Sequence, residues 1–210
     1  MKFKRQELKK SGVVRRLLHY YSLATAEDIQ HKDWYLEAHR FCKQLSDDFG
    51  VPLFQVVGVC AALSPQKNWQ ENKKLTFNFM RGNRSGHYKQ QIDKADQCLT
   101  ADSAENIFRL LTKNGMKTSW FYWNILYPDV ETGVTIDRHA IGACVFSPTN
   151  IQTLPDSYGV LTVGHYKFFS ECFVSAAKIR ALRPHEIQAI IWTVYRRLKE
   201  LPTEYQTEPF

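Results

Sequence analysis

The chain has 210 residues, 44% of them hydrophobic, which suits one large domain or two small lobes around a buried core. Its formal net charge of +7 and pI of about 9.1 suit a polyanionic partner, although many basic proteins never bind nucleic acid. No apolar run follows the charged N-terminus and none approaches the length of a membrane span, so we expect neither a signal peptide nor a membrane anchor.

The N-terminal quarter of the chain is predicted to be helical. Apolar residues at helical spacing predict a helix over about 4–24. Thr25 is a candidate cap for the next helix, with Asp28 three residues on as its capping-box partner. A longer helix is predicted near 32–49. It ends at Gly50-Val51-Pro52, because glycine leaves a helix easily and proline can open the next one.

The middle of the chain continues this pattern. Leu53 to Leu63 is almost wholly apolar, and its length and Ala-Ala ending favour a helix over a buried strand. A polar helix is predicted over 68–80, and the turn formers of 81–86 predict a loop. Two short helices are expected over 87–111, broken near 100–103.

The remaining elements are also mostly helical. An aromatic helix is predicted over 117–126. The segment 134–146 is open between strand and helix, because its start is β-branched and its later part is helix-compatible. Further helices are predicted over 165–181 and 184–198, with a loose tail at 202–210. No series of alternating strands is visible, so the expected fold class is all-α.

The cysteines are odd in number and show neither a disulfide framework nor metal-ligand spacing. Each lies in an apolar context, where free cysteine usually fills the core. We therefore expect free thiols, no metal, no cofactor and a reducing, cytoplasmic location. The five are Cys42, Cys60, Cys98, Cys144 and Cys172.

Asp137 is the first candidate for chemistry, because it is a carboxylate on an otherwise apolar segment. The structural alternative is a helix cap or a satisfied buried group. The functional alternative is a carboxylate that stabilises an oxocarbenium-like sugar or activates an attacking group. Arg138 and His139 beside it are expected to face other directions on a helix, and Asp137 with His139 is too small a set for a metal site.

Lys117 is the second candidate, and it follows a possible tight turn at Asn114-Gly115. Exposed lysines near turns are usually only solvated. If Trp120 and Phe121 shelter the amine from water, it loses proton affinity and becomes a usable nucleophile. The backbone N–H groups at this helix start could also bind a DNA phosphate.

The third candidate segment is Ala62-Leu-Ser-Pro-Gln66. Ser64 as an N-cap and Pro65 as the first helical residue would explain a helix start. That explanation does not account for Gln66. At a helix tip, this glutamine could fill the space left by a displaced base. Trp69 and Asn72 on the following turns would line the same cleft.

Both ends of the chain carry basic residues for which a structural role is the first interpretation. At the C-terminal end, the helix from Pro184 to Leu198 has an apolar stripe completed by Trp192, Tyr195, Arg196 and Arg197. His185 is interpreted as a residue of the cap region. The basic run from Lys2 to Arg16 is either a solvated helix face or an arm that contacts phosphates.

Together these segments resemble the helix-hairpin-helix (HhH-GPD) superfamily of DNA glycosylases, of the endonuclease III kind. Ala62–Gln66 resembles its Leu-Ser-x-Gln segment, in which the glutamine supports the gap beside an extruded base. Leu111–Thr118 resembles its hairpin Leu-Pro-Gly-x-Gly-x-Lys-Thr, with the last glycine, the lysine and the threonine in matching places. Val134–Ala140 resembles the segment that carries the essential aspartate, here Asp137.

The resemblance implies an all-α, two-lobed fold with the active-site cleft between the lobes. One lobe would combine about 1–50 with 135–200, and the central lobe with the hairpin would span about 51–134. The tail at 201–210 would stay loose.

The resemblance further implies a double-stranded DNA partner and a base flipped into a pocket. Asp137 would assist ionisation of the glycosidic bond, and Lys117 would attack C1′ to form a Schiff base that leads to strand cleavage. In members without the lysine, the aspartate promotes attack by water. The DNA-gripping residues would be Gln66, Lys113, Asn114, Gly115 and Thr118. The possible base-pocket residues are Ser64, Trp69, Asn72, Trp120, Tyr122 and His139.

The sequence departs from this family in ways that keep other functions open. Lys113 replaces the first hairpin glycine and Thr112 the proline, and no cysteines after Cys172 can hold an iron–sulfur cluster. Besides a glycosylase with or without AP lyase activity, one alternative is a phage-type enzyme that joins amines or amino acids to an activated thymine derivative. Such an enzyme would work in the host cytoplasm. Another alternative is a non-catalytic DNA-binding module.

Overall fold

The computed structural model describes residues 8–113, 115–152, 154 and 161–200. Within these ranges the regular structure is helical and contains no strand, so the all-α prediction is confirmed. The predicted tail and Asn114 lie outside the described residues. The helices are α1 (Lys10–Ser22), α2 (Ala26–Gln30), α3 (Trp34–Phe49), α4 (Leu53–Ala62), α5 (Trp69–Met80), α6 (Lys89–Leu99), α7 (Ala104–Thr112), α8 (Met116–Leu126), α9 (Arg138–Val145), α10 (Val163–Arg180) and α11 (Pro184–Leu198).

The contacts divide the chain into two compact units. Unit 1 combines the described residues up to Trp34 with those from Asp129 onward, and unit 2 comprises Tyr35–Pro128. The sequence-based expectation put the corresponding boundaries near 50 and 134. No single helix in the described ranges is long and apolar enough to span a membrane, although one bent pair of helices satisfies length and composition together.

Unit 1 is built on α1, α9, α10 and α11, which pack against one another. The apolar stripe of α11 is buried, as its spacing predicts. Arg197, in the last turn of α11, forms a salt bridge to Asp28 with Nη2 and Oδ2 2.7 Å apart. Asp28 also completes the predicted capping box with Thr25, which is confirmed.

Unit 2 is built around α4, which packs against α5, α6, α7 and α8. Every residue of α4 from Val56 onward is buried, so the helical interpretation of this apolar stretch is confirmed. The close approach of α4 and α6 depends on Gly58, because a Cβ there would lie 2.9 Å from the Cβ of Cys98. All five cysteines are free and buried, as predicted.

The predicted polar helix over 68–80 is confirmed as α5, which starts at Trp69 because Asn68 and Glu71 form a capping box there. The helix start considered at Ser64-Pro65 does not occur, because residues 64–68 are non-helical. In the ambiguous segment 134–146 the strand alternative is not observed: residues 134–136 have no regular structure, and α9 follows from Arg138.

Candidate functional site

An anchored segment of unit 1 leads to Asp137. Val134 and Ile136 are buried, and the hydroxyl of Tyr166 bonds to the backbone of both. It accepts a hydrogen bond from the Ile136 N–H at 2.9 Å and donates one to the Val134 carbonyl at 2.7 Å. This pair of bonds satisfies backbone groups that would otherwise be orphaned in the core and fixes the point at which α9 begins.

Asp137 is the N-cap of α9, and its carboxylate is held at both oxygens. Oδ1 accepts a hydrogen bond from the Ala140 backbone N–H at 2.7 Å, which is the ordinary capping interaction. Oδ2 accepts a second one from the indole Nε1–H of Trp192 at 2.8 Å. The capping interpretation is therefore right. The indole bond goes beyond what a cap requires, and it leaves the half-buried carboxylate in a fixed orientation.

His139 and Arg196 join this carboxylate through Trp192. The His139 ring meets the Trp192 ring edge-on at 5.7 Å, and the Arg196 guanidinium lies 4.5 Å from the centre of the indole. Arg196 Nη1 is 3.1 Å from His139 Nε2. Since arginine can only donate, Nε2 of His139 is the acceptor of this bond. We call these four residues, Asp137, His139, Trp192 and Arg196, the Asp137 cluster.

Tyr195 packs beneath the Asp137 cluster and sets the spacing between α9 and α11. Its ring lies 6.0 Å from that of His139, and its phenol occupies the space that a side chain at Gly142 would need. Burial raises the pKa of Tyr195, and the charge of Asp137 adds to the shift, so the phenol stays protonated. A glycine at position 142 therefore lets the two helices approach closely enough for Trp192 to reach Asp137.

The Asp137 cluster combines an oriented carboxylate, an imidazole and a guanidinium, all half-buried. Such a set can stabilise positive charge developing beside the carboxylate while the guanidinium binds an anion. Among the described residues, no group of three or more His, Cys, Asp or Glu side chains could hold a metal ion.

Comparison with known proteins places the sequence in a family. Residues 1–199 match the Family of unknown function (DUF7178). The chain belongs to this family. No curated protein and no solved structure matches the DUF7178 chain.

Lys117 does not have the shelter that the sequence suggested. It lies on the first turn of α8 in unit 2 and is exposed. Trp120 packs edge-on against Phe108 at 5.4 Å, and Phe121 packs against Tyr35 at 6.3 Å. The prediction that both aromatic rings desolvate the amine is therefore wrong, because both are engaged elsewhere in the packing.

The predicted hairpin is described except for Asn114. Gly115 is the N-cap of α8 with φ +118°, a backbone conformation that favours glycine, and its N–H donates to the Thr112 carbonyl at 2.9 Å. Lys113 is exposed and Thr118 half-buried, so both lie within reach of solvent.

Three residues of the predicted base pocket have other positions in unit 2. Asn72 is buried, and its amide donates to Cys60 Sγ at 3.5 Å. Tyr122 is fully buried, so no base can stack on it. Ser64 caps no helix, and its hydroxyl donates to the Ala61 carbonyl at 2.9 Å. The pocket assignment of Asn72 and Tyr122 is wrong because their side chains complete the core.

Trp69 and Gln66 are both accessible to solvent, but only Trp69 lies on a helix. Trp69 is half-buried and packs edge-on against Phe41 at 5.7 Å. Gln66 lies in the turn before α5 with φ +61°, so its predicted position at a helix tip is wrong. Among the described non-glycine residues, Gln66 is one of three with positive φ.

Sequence reasoning missed Trp192 and Arg196, which were interpreted as structural, and predicted that His139 would face away from Asp137. The contact between Trp192 and Asp137 joins residues 55 positions apart, so no local spacing reveals it. The available signal was the spacing of Trp192 and Arg196 by one helical turn, which puts both on one face of α11.

Proposed function

We propose that the chain is a DNA glycosylase-like enzyme with an HhH-GPD-like helical fold, and that Asp137 is its catalytic carboxylate. The observation that carries this proposal is the fixation of Asp137 by two hydrogen bonds, from the Ala140 N–H and from the Trp192 indole. An acceptor group oriented before the reaction stabilises developing positive charge without reorganising during it. The basic net charge supports a DNA partner.

The proposed reaction is hydrolysis of the N-glycosidic bond of a flipped base. The bond between C1′ and the base nitrogen breaks, and its electron pair leaves with the base. The carboxylate of Asp137 stabilises the oxocarbenium-like sugar, and the oxygen of a water molecule then bonds to C1′. One proton of that water passes to the departing base or to solvent, which leaves a free base and an abasic sugar.

Trp192 and Arg196 have separate roles in this proposal. The indole N–H of Trp192 positions the carboxylate. Arg196, stacked on that indole, supplies a positive charge for a DNA phosphate near the reacting sugar. Both residues come from one face of α11, so this helix fixes a phosphate bound at Arg196 relative to the indole that orients the carboxylate.

The exposure of Lys117 favours the hydrolytic reaction over a lyase reaction. A solvated ammonium is a poor nucleophile, and no described contact desolvates this amine. We assign Lys117, with Lys113 and Thr118, to phosphate binding at the start of α8. Borohydride trapping on DNA with an abasic site tests this assignment. No adduct is expected, and an adduct that Lys117→Ala abolishes would instead place the enzyme among the bifunctional lyases.

The test of the catalytic proposal separates binding from turnover. Base release from duplex DNA is measured for the wild type, Asp137→Asn and the control Asp129→Asn, whose side chain is 85% exposed in the same unit. We expect Asp137→Asn to bind DNA within about threefold of wild type and to lose at least about a hundredfold in turnover, because one charged stabilising group is removed. Full turnover by Asp137→Asn would overturn the proposal.

A further inference from the structure

A surface pocket of unit 2 lies where two loops meet. One is the turn between α4 and α5, and the other is the loop between α5 and α6. The pocket has a volume of about 460 Å³, within the range that small ligands occupy in proteins. Its lining consists of Gln66, Lys67, Gly86, His87 and Tyr88.

Both loops hold backbone conformations that are costly or need glycine. Gln66 has φ +61°, which side chains rarely adopt and which commonly marks a functional site. Gly86 has φ +90°, and a Cβ there would lie 2.8 Å from Cδ2 of Leu75. The positions on either side of the pocket are therefore set by the backbone, before any ligand binds.

Side-chain bonds hold the second loop in place. Arg84 donates to Asp96 Oδ1 at 2.8 Å, and its guanidinium stacks 3.6 Å from the centre of the Phe79 ring. His87 joins the two loops. Its Nδ1 accepts from the Tyr88 N–H at 2.8 Å, so Nε2 carries the proton and donates to the Pro65 carbonyl at 3.1 Å. The pocket is therefore preorganised, which lowers the entropy lost on binding.

The side chains left for a ligand are an aromatic ring, an amine and an amide. Tyr88 is 66% exposed, which is unusual for a large aromatic side chain. Lys67 is half-buried and lies close to His87. Partial burial lowers the pKa of the His87 imidazole, and the positive charge of Lys67 lowers it further. An exposed ring and an amine that line one pocket can bind a base and its phosphate.

The segment around the pocket is basic, as is typical of surfaces that bind nucleic acid. Residues 66–94 contain seven lysines or arginines and only two acidic residues. Most of the chain's net charge of +7 is therefore concentrated in this segment. Although Arg84 is paired with Asp96, the basic composition of the segment that forms the pocket suits a polyanionic strand.

We propose that this pocket binds one unpaired nucleotide of a single-stranded DNA segment, with the base stacked on Tyr88 and the adjoining phosphate at Lys67. The exposed amide of Gln66 lies at the rim, where it can bond to the edge of the base. This single-strand site is in unit 2, whereas the proposed catalytic carboxylate is in unit 1. The two proposals therefore stand or fail separately.

The experiment is an anisotropy titration of a labelled single-stranded oligothymidylate with the intact protein. Tyr88→Ala removes the stacking ring and Tyr88→Phe keeps it. Lys67→Gln removes the amine, and the control Lys178→Gln removes the same charge from an exposed position on α10. Circular dichroism confirms that each variant is folded, which is expected because Tyr88 is exposed.

We expect Tyr88→Ala to weaken binding of the single strand by about tenfold or more and Tyr88→Phe by less than about twofold, because base stacking is strong and needs only the ring. Lys67→Gln should weaken binding more than Lys178→Gln. The proposal is overturned if Tyr88→Ala binds like the wild type, or if the wild type does not bind the strand. Displacement of the strand by an equal concentration of inorganic phosphate would show a phosphate site without base stacking, which also contradicts it.

Discussion

The stability of unit 1 should depend on the protonation of His185. This side chain lies in the first turn of α11 and is 2% exposed. Burial, followed by the positive charge of Arg183, lowers the pKa of His185 from 6.5 to about 4, although Asp129 opposes the shift. In the unfolded chain the same imidazole titrates near 6.5, so the unfolded state binds the extra proton first as the pH falls.

The expected loss of stability follows from these two pKa values. Above about pH 7 the imidazole is neutral in both states and contributes no pH dependence. As the pH falls from about 6.5 to about 4, the unfolded state is increasingly favoured. At pH 5 the free energy of unfolding is lower by about 2 kcal/mol. Replacing the imidazole with a group that does not titrate should abolish this part of the loss.

Urea unfolding followed by circular dichroism measures this effect. The free energy of unfolding is compared at about pH 7.5 and about pH 5 for the wild type, His185→Gln and the control His19→Gln, whose side chain is exposed. His185→Gln should show a fall between the two pH values that is smaller by about 2 kcal/mol, and His19→Gln should keep the full fall. If His185→Gln and the wild type lose the same stability, the buried imidazole is not the titrating group.

Three further outcomes are expected. Gly142→Ala should lower the free energy of unfolding by about 1–3 kcal/mol, because the new Cβ would overlap the phenol of Tyr195. The control Gly12→Ala has open space around it and should be neutral or stabilising in the same urea assay. Asp28→Asn should cost about 1–3 kcal/mol at neutral pH by leaving Arg197 without its carboxylate. Burial raises the pKa of Asp28, but hydrogen bonds from Arg197 and the Thr25 backbone outweigh burial, so the net pKa is lowered. The contribution of Asp28 to stability is therefore present above about pH 4 and is lost in acid. Affinity for duplex DNA should fall about fortyfold for a fourfold rise in salt if about three phosphates are contacted, and a flat response would argue for an uncharged small-molecule ligand.

Most of the fold could be predicted because its signals are local. The capping box of Thr25 and Asp28, the apolar length of α4 and the proline that opens α11 each specify a helix within a few residues. The start of α5 was predicted near residue 68, as observed, although Ser64-Pro65 offers a cap pattern of its own. The box from Asn68 to Glu71 determines the start instead, since it satisfies two backbone groups at once.

The candidate site was predictable only in part. Asp137 could be found, because a carboxylate before a helix-compatible segment is a local pattern. Its indole partner could not, because Trp192 reaches it through the packing of α9 on α11. The exposure of Lys117 was also beyond the sequence, since Trp120 and Phe121 could pack either over the amine or against Phe108 and Tyr35.

The central claim, that Asp137 catalyses release of a base from DNA, is tested most directly by the mass of the DNA product. The wild type and Asp137→Asn are incubated with four duplexes, which contain uracil, an oxidised purine, an oxidised pyrimidine or an alkylated base. The masses of the strands are then measured by mass spectrometry. We predict that one duplex loses its base and gains a water with the wild type, and that Asp137→Asn leaves it unchanged. A strand that becomes heavier would indicate base modification. An unchanged mass for every duplex, or equal base loss with Asp137→Asn, would also contradict the claim.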